Sequence, residues 1–85
     1  MGAADDEPVL SSFHCELDTR GLMCPLPLLR LKKTLSQMDH GHVVRVSATD
    51  PASVLDFGVF LDQSGHVLMA RWEDSGTLFY LIRKT

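Results

Sequence analysis

GLMCPLPLLRLKKTLSQM, residues 21–38, joins a glycine-led loop to a run whose apolar residues recur three and four positions apart. Leu28, Leu31, Leu35 and Met38 fall on one helical stripe, while Arg30, Lys32 and Lys33 take other angles. The spacing predicts an amphipathic helix from Pro25 to Met38, with its start fixed by Pro25 and Pro27, which are tolerated only in a first turn. A helix here decides the fold, because the sequence on either side of it alternates with a period of two.

Upstream, FHCEL (13–17) sets Phe13, Cys15 and Leu17 on one face and His14 and Glu16 on the other, which predicts a half-buried strand. Downstream, GHVVRVSATD (41–50) returns to strand chemistry, with Val44, Val46 and Ala48 on one face and Val43, Arg45 and Ser47 on the other. It ends at Asp50-Pro51, a helix start in which Asp50 caps free backbone N–H groups and Pro51 takes the first helical position. That second helix is expected to carry Val54, Phe57 and Leu61 inward, to be weakened locally by Gly58, and to stop near Gly65. HVLMARWE (66–73) and TLFYLIRK (77–84) flank Asp74-Ser75-Gly76 and read as a terminal β-hairpin.

The resulting order, β-α-β-α-β-β, belongs to the α/β class: a two-layer α/β sandwich with two helices on one face of a four-stranded mixed sheet. The first β-α-β unit should be a right-handed parallel crossover, and the other sheet face should stay open.

Eighty-five residues suffice for one modest core and not for two. Residues 1–12, with Asp5, Asp6, Glu7 and Pro8, read as a flexible arm, and residues 13–85 as the folded domain. Apolar residues at 45% and charged residues at 22% are ordinary for a folded chain. A net charge of −3 and a pI of about 5.7 provide no basic field, so direct binding to nucleic acid or an anionic membrane is not expected. No apolar run approaches the ~20 residues that span a bilayer, and the N-terminus is acidic where a signal peptide is basic. A cytoplasmic monomer is the expectation. His40 and His42 bracket a turn glycine and read as surface polarity, and no metal site or cofactor is expected.

The two cysteines, Cys15 and Cys24, form neither a C-x-x-C pair nor a zinc spacing and are expected to be reduced. Cys15 shares the inward face with Phe13 and Leu17 and reads as core. Cys24 differs. If the helix begins at Pro25, Cys24 takes the N-cap, where the positive end of the helix dipole and the N–H groups of Leu26 and Leu28 meet its sulfur. A charge there gains roughly 0.3–1 kcal/mol, about 2 when partly buried, so ionisation of the thiol is expected to become easier. Arg20 would add to this, and Asp18 is assigned to bracing the loop through its backbone N–H groups. Gly21 supplies a backbone conformation other residues resist. No serine, histidine or carboxylate is placed in sequence as a base for Cys24, which argues against a thiol hydrolase and for a group carrier. Persulfide sulfur is the natural cargo, because a persulfide anion gains from the same helix N-terminus.

The stretch LDTRGLMCPLPLLRLKKTL (17–35), together with TDPASVLDF (49–57) and GHVLMARWEDSGTLFYLIRK (65–84), resembles the TusA family, also called SirA-like, of small sulfur carriers marked by a glycine-led loop and Cys-Pro-x-Pro. The resemblance implies the same β-α-β-α-β-β sandwich and a persulfide on Cys24, with Pro25 and Pro27 as its motif. It also implies supporting roles for Asp18, Asp50 and Asp56, which match acidic positions of the family. It further implies a cysteine desulfurase or other persulfide donor and a downstream sulfur-accepting protein as partners, as in relays that thiolate a tRNA uridine. Where many members have Ile-Pro in the second helix, this chain has Phe57-Gly58. Arg30, Lys32 and Lys33 are candidate partner contacts. A second reading is a non-catalytic regulatory or interaction module that uses this basic helix face.

Overall fold

The computed structural model describes residues 13–85, so the arm expected over residues 1–12 lies outside the described residues. Six elements follow one another: β1 (Cys15–Thr19), α1 (Leu26–Ser36), β2 (Val43–Ala48), α2 (Ser53–Ser64), β3 (Val67–Asp74) and β4 (Thr77–Arg83). They build a two-layer α/β sandwich on one mixed sheet of order β1-β2-β4-β3. β1 runs parallel to β2, as a β-α-β unit requires, and β4 is antiparallel to both β2 and β3.

The register follows from the alternation. Val44, Val46 and Ala48 of β2 lie opposite Ile82, Tyr80 and Leu78 of β4, and these residues meet Leu31 and Leu35 of α1 and Phe57 and Leu61 of α2 in the core. Burying each large aliphatic or aromatic side chain in such a core contributes roughly 1.5–3 kcal/mol. Phe57 meets Tyr80 edge-on, with ring centroids 4.7 Å apart, and the Tyr80 hydroxyl shares a 2.7 Å hydrogen bond with buried Ser53. Buried Thr19 donates to the Ser47 carbonyl at 2.7 Å and ties the end of β1 to β2, which fixes where the following loop leaves the sheet. Ser75 (φ 52°) and Gly76 (φ 83°) form the two-residue left-handed turn of the β3–β4 hairpin.

Several local expectations are corrected. Phe13 stands outside β1 and turns to the open sheet face, its ring 4.9 Å from the Arg45 guanidinium carbon. Val54 is 39% exposed, and Ser53 takes the inward place on α2. The four-residue spacing 53–57–61 sets that face, and Val54 is one residue off it. Helix α1 ends at Ser36, before Met38, which still packs on the core from the following turn. Asp50 does not cap α2 directly. Ser53 N–H bonds to the Asp50 carbonyl and Val54 N–H to the Pro51 carbonyl, a tight turn that delays the helix until Ser53, so the Asp50 side chain caps that turn by accepting Ala52 N–H at 3.1 Å. Gly65, at φ 85°, closes α2 by donating to the Leu61 carbonyl.

Candidate functional site around Cys24

The loop from Thr19 to Cys24 carries the chain from the end of β1 to the start of α1. Gly21 turns it at φ 82°, a conformation that any side chain would strain. Its N–H donates to Thr49 Oγ1 at 2.9 Å, and Leu22 N–H donates back to the Thr19 carbonyl. Thr49 was not singled out in the sequence; its only signal there is its place just past a strand end. The loop is thus held against the end of β2, and Cys24 comes to rest in solvent, exposed.

Helix α1 begins one residue later than expected. Pro25, at φ −100° and ψ 16°, occupies the N-cap, Pro27 is the second helical residue and is buried, and Cys24 stands just outside the helix, joined to Pro25 by a cis peptide. Of the two donors expected around the sulfur, Leu26 N–H is instead engaged by the Met23 carbonyl at 2.8 Å.

What surrounds Cys24 comes from far along the chain. Its thiol donates to Asp56 Oδ2 of α2 at 3.0 Å, and its backbone N–H donates to Asp50 Oδ2 at 2.6 Å. The direction of the thiol's ionisation is therefore the reverse of the expected one. The hydrogen bond to Asp56 first, then partial desolvation and the negative charges of Asp56 and Asp50, hold the thiol above the ordinary cysteine range. A helix dipole is a fractional charge, whereas two carboxylates are whole ones, and the carboxylates win. A carboxylate absent from the local sequence is also here: Asp56 sits within hydrogen-bond reach of the Cys24 thiol proton.

The other sequence candidates divide. Asp18 does not approach the sulfur. It accepts Arg20 N–H at 3.0 Å, binds the Arg20 guanidinium through both oxygens at 2.9 and 2.8 Å, and takes a 3.3 Å bond from Ser47. This side-chain pairing with Arg20 is the chief reason its carboxyl lies well below the usual carboxylate range. Both residues line a cavity of about 390 Å³ on the open sheet face, together with Glu16, Arg45, Ser47 and Phe79. Arg20 is therefore spent on Asp18 and does not help the thiol.

The three cations of α1 do not share one face. Lys32 lines the groove between the helices, its Nζ 5.4 Å from the Phe60 ring centroid, while at ~100° per residue Arg30 and Lys33 project elsewhere. Lys33 lies in the last turn, at the end of α1 away from Cys24. Cys15 is half-buried against the core, and burial raises its thiol pKa. Its place matches the core reading.

Comparison with known proteins converges on one kind of protein. A family model described as "Sulfurtransferase TusA" matches residues 15–84. A sulfur carrier protein TusA from Allochromatium vinosum is 50% identical over 76 residues, covering 89% of this chain and all of that protein. A putative sulfur carrier protein from Neisseria meningitidis is 46% identical over 67 residues, covering 79% and 90%. Among solved structures, a SirA-like protein from Desulfitobacterium hafniense superposes with a TM-score of 0.74 at 25% identity, covering 82% of this chain and 96% of that one.

Proposed function

This chain belongs to the TusA sulfurtransferase family, a family of sulfur-transfer proteins, and from that premise we propose that Cys24 is the atom that carries the sulfur. The observation that carries the reading is the exposed Cys24 thiol hydrogen-bonded to Asp56, presented by a loop that Thr49 and Asp50 hold in place.

In the proposed step, the Cys24 sulfur attacks the outer sulfur of a donor persulfide, R–S–S⁻. A new S–S bond forms as the donor's S–S bond breaks, and its electron pair stays on the donor cysteine sulfur. Asp56 takes the thiol proton, which ends on that departing sulfur, so Cys24–SH and R–S–S⁻ become Cys24–S–S⁻ and R–SH. No external oxidant or reductant is required. The same exchange, run with the persulfide on Cys24 as donor, hands the sulfur to an acceptor. The donor is proposed to be a cysteine desulfurase and the acceptor the next protein of a cytoplasmic relay, tRNA thiolation among the uses of such relays. Among the described residues no helix is long and apolar enough to cross a membrane.

Intact mass after incubation with a desulfurase and cysteine tests the reading. Wild type should gain one sulfur and Cys24→Ser none; a Cys24→Ser protein that still gains sulfur removes Cys24 from the role. The regulatory-module alternative predicts the opposite ranking, with Cys24→Ser active and charge reversal at Arg30, Lys32 and Lys33 inactive.

A further inference from the structure

Among the described residues Cys24 meets two carboxylates and no cation. Among the described residues the ion pairs are Arg20–Asp18 and Arg45–Glu16, so neither Asp50 nor Asp56 is paired. The cation of the groove that Asp56 lines is Lys32, and it lies over Phe60. On the segments that carry Cys24 and Asp56, apolar side chains stand in water: Met23 is 73% exposed, Leu55 71%, Val59 48% and Leu26 47%. Leu55 and Val59 flank Asp56 on α2 and line that groove, whose volume is about 250 Å³. Apolar surface around a polar centre with one unbalanced sign of charge has the composition of a protein-docking site.

We propose that Cys24 is ionised by its partner: the protein that exchanges sulfur with it docks on Met23, Leu26, Leu55 and Val59 and lays a lysine or arginine against Asp56 and Asp50. This rests on the reading that Cys24 carries sulfur. In the free protein a thiolate would stand beside two carboxylates, and so would a persulfide anion. A cation on the outer oxygen of Asp56 balances that charge while the other oxygen takes the thiol proton and passes it to the departing donor sulfur, so the proton can leave when the donor is in place and not before. The resting carrier is thereby kept as a thiol, slow toward adventitious electrophiles.

The experiment uses small disulfides of different charge as probes of Cys24 in a Cys15→Ser background: cystamine (dication), 2-hydroxyethyl disulfide (neutral) and dithiodipropionate (dianion). Exchange rates are normalised to those of N-acetylcysteine amide. Cystamine is expected to react about tenfold faster than the dianion, the neutral probe lying between. The spread should shrink in about 0.5 M salt and vanish in Asp50→Asn/Asp56→Asn. Normalised rates that do not depend on probe charge, or a spread that survives in the double variant, overturn the proposal; the salt arm needs no variant to fold.

Sulfur loading by a desulfurase is measured in parallel. Loading without charge discrimination overturns the cationic partner alone, whereas discrimination without loading overturns the carrier reading beneath it. The docking rim is read with Leu55→Ser, which adds no charge beside Asp56; it should slow loading several-fold and leave the normalised rate with 2-hydroxyethyl disulfide nearly unchanged, and unaltered loading removes the rim from the proposal.

Discussion

Four carboxylates near the ends of β1 and β2 are treated in two ways. On the open sheet face, Glu16 and Asp18 are each held by an arginine, Arg45 at 2.7 Å and Arg20 at 2.8 Å. At the loop end, Asp50 and Asp56 have no cation among the described residues and turn instead to the backbone N–H and the thiol of Cys24. The first pair is neutralised internally and asks nothing of a partner. The second leaves a proton and a negative field at the exposed thiol. Equal residue types therefore have unequal consequences, set by what the fold brings opposite them.

The largest effect expected from breaking this contrast is at Asp56. Replacing it by Asn removes the charge and leaves only a weaker neutral amide acceptor in place of the carboxylate that holds the thiol above its ordinary range, so alkylation of Cys24 by iodoacetamide at neutral pH should rise several-fold. The same variant should load sulfur more slowly, because no carboxylate is left to pass the thiol proton to the departing donor sulfur. An alkylation rate equal to wild type would show that the hydrogen bond does not govern ionisation.

Asp50→Ala should act chiefly on the loop. It deletes the acceptors of Cys24 N–H and Ala52 N–H, at a cost of about 1–2 kcal/mol in urea unfolding, with a smaller rise in alkylation than Asp56→Asn gives. An alkylation rise exceeding that of Asp56→Asn would reverse the ranking of the two acids.

Arg20→Ala should leave Cys24 alkylation unchanged and alter only stability and its dependence on acid. Because the folded Asp18 carboxyl is depressed, its contribution is present in full above about pH 4, near the unfolded carboxylate value, and is lost as the pH falls toward the lower folded value. The variant should lose stability above pH 4 and show a flatter acid limb. Cys24 works in the other direction: its raised thiol contributes below about pH 8.5, the ordinary cysteine value, and that contribution is lost as the pH climbs past it. Cys24→Ser should abolish this small alkaline decline, which paired denaturation curves at neutral and alkaline pH would reveal.

The frame of the molecule was legible because its signals are local. The three-and-four spacing of Leu28, Leu31 and Leu35, the alternation of Val44, Val46 and Ala48, and the Asp-Ser-Gly turn each describe neighbours in the chain, and each describes the fold correctly. The Asp18–Arg20 pairing, two residues apart, lies at the same range, although the sequence pointed Arg20 at the thiol and Asp18 at backbone N–H groups. The electrostatics of Cys24 did not read the same way. Its controlling partners are 26 and 32 residues away, and a local reading weighed the helix dipole while seeing neither carboxylate in place. Asp50 and Asp56 could be named from family pattern, but that they converge on one cysteine is a product of the β1-α1-β2-α2 path. The helix start shifted by one residue for a related reason: Pro25 took the N-cap, and Cys24, displaced from the dipole's end, was left to the acids.

Peptide mapping after sulfur loading, on Cys15→Ser and Cys24→Ser side by side, tests the central claim most directly. With a desulfurase and cysteine, the account predicts a single added sulfur on the tryptic peptide containing Cys24 in Cys15→Ser and none on any peptide of Cys24→Ser. Sulfur found on Cys15 with Cys24 absent, or no sulfur on Cys24 in the Cys15→Ser protein, would contradict it.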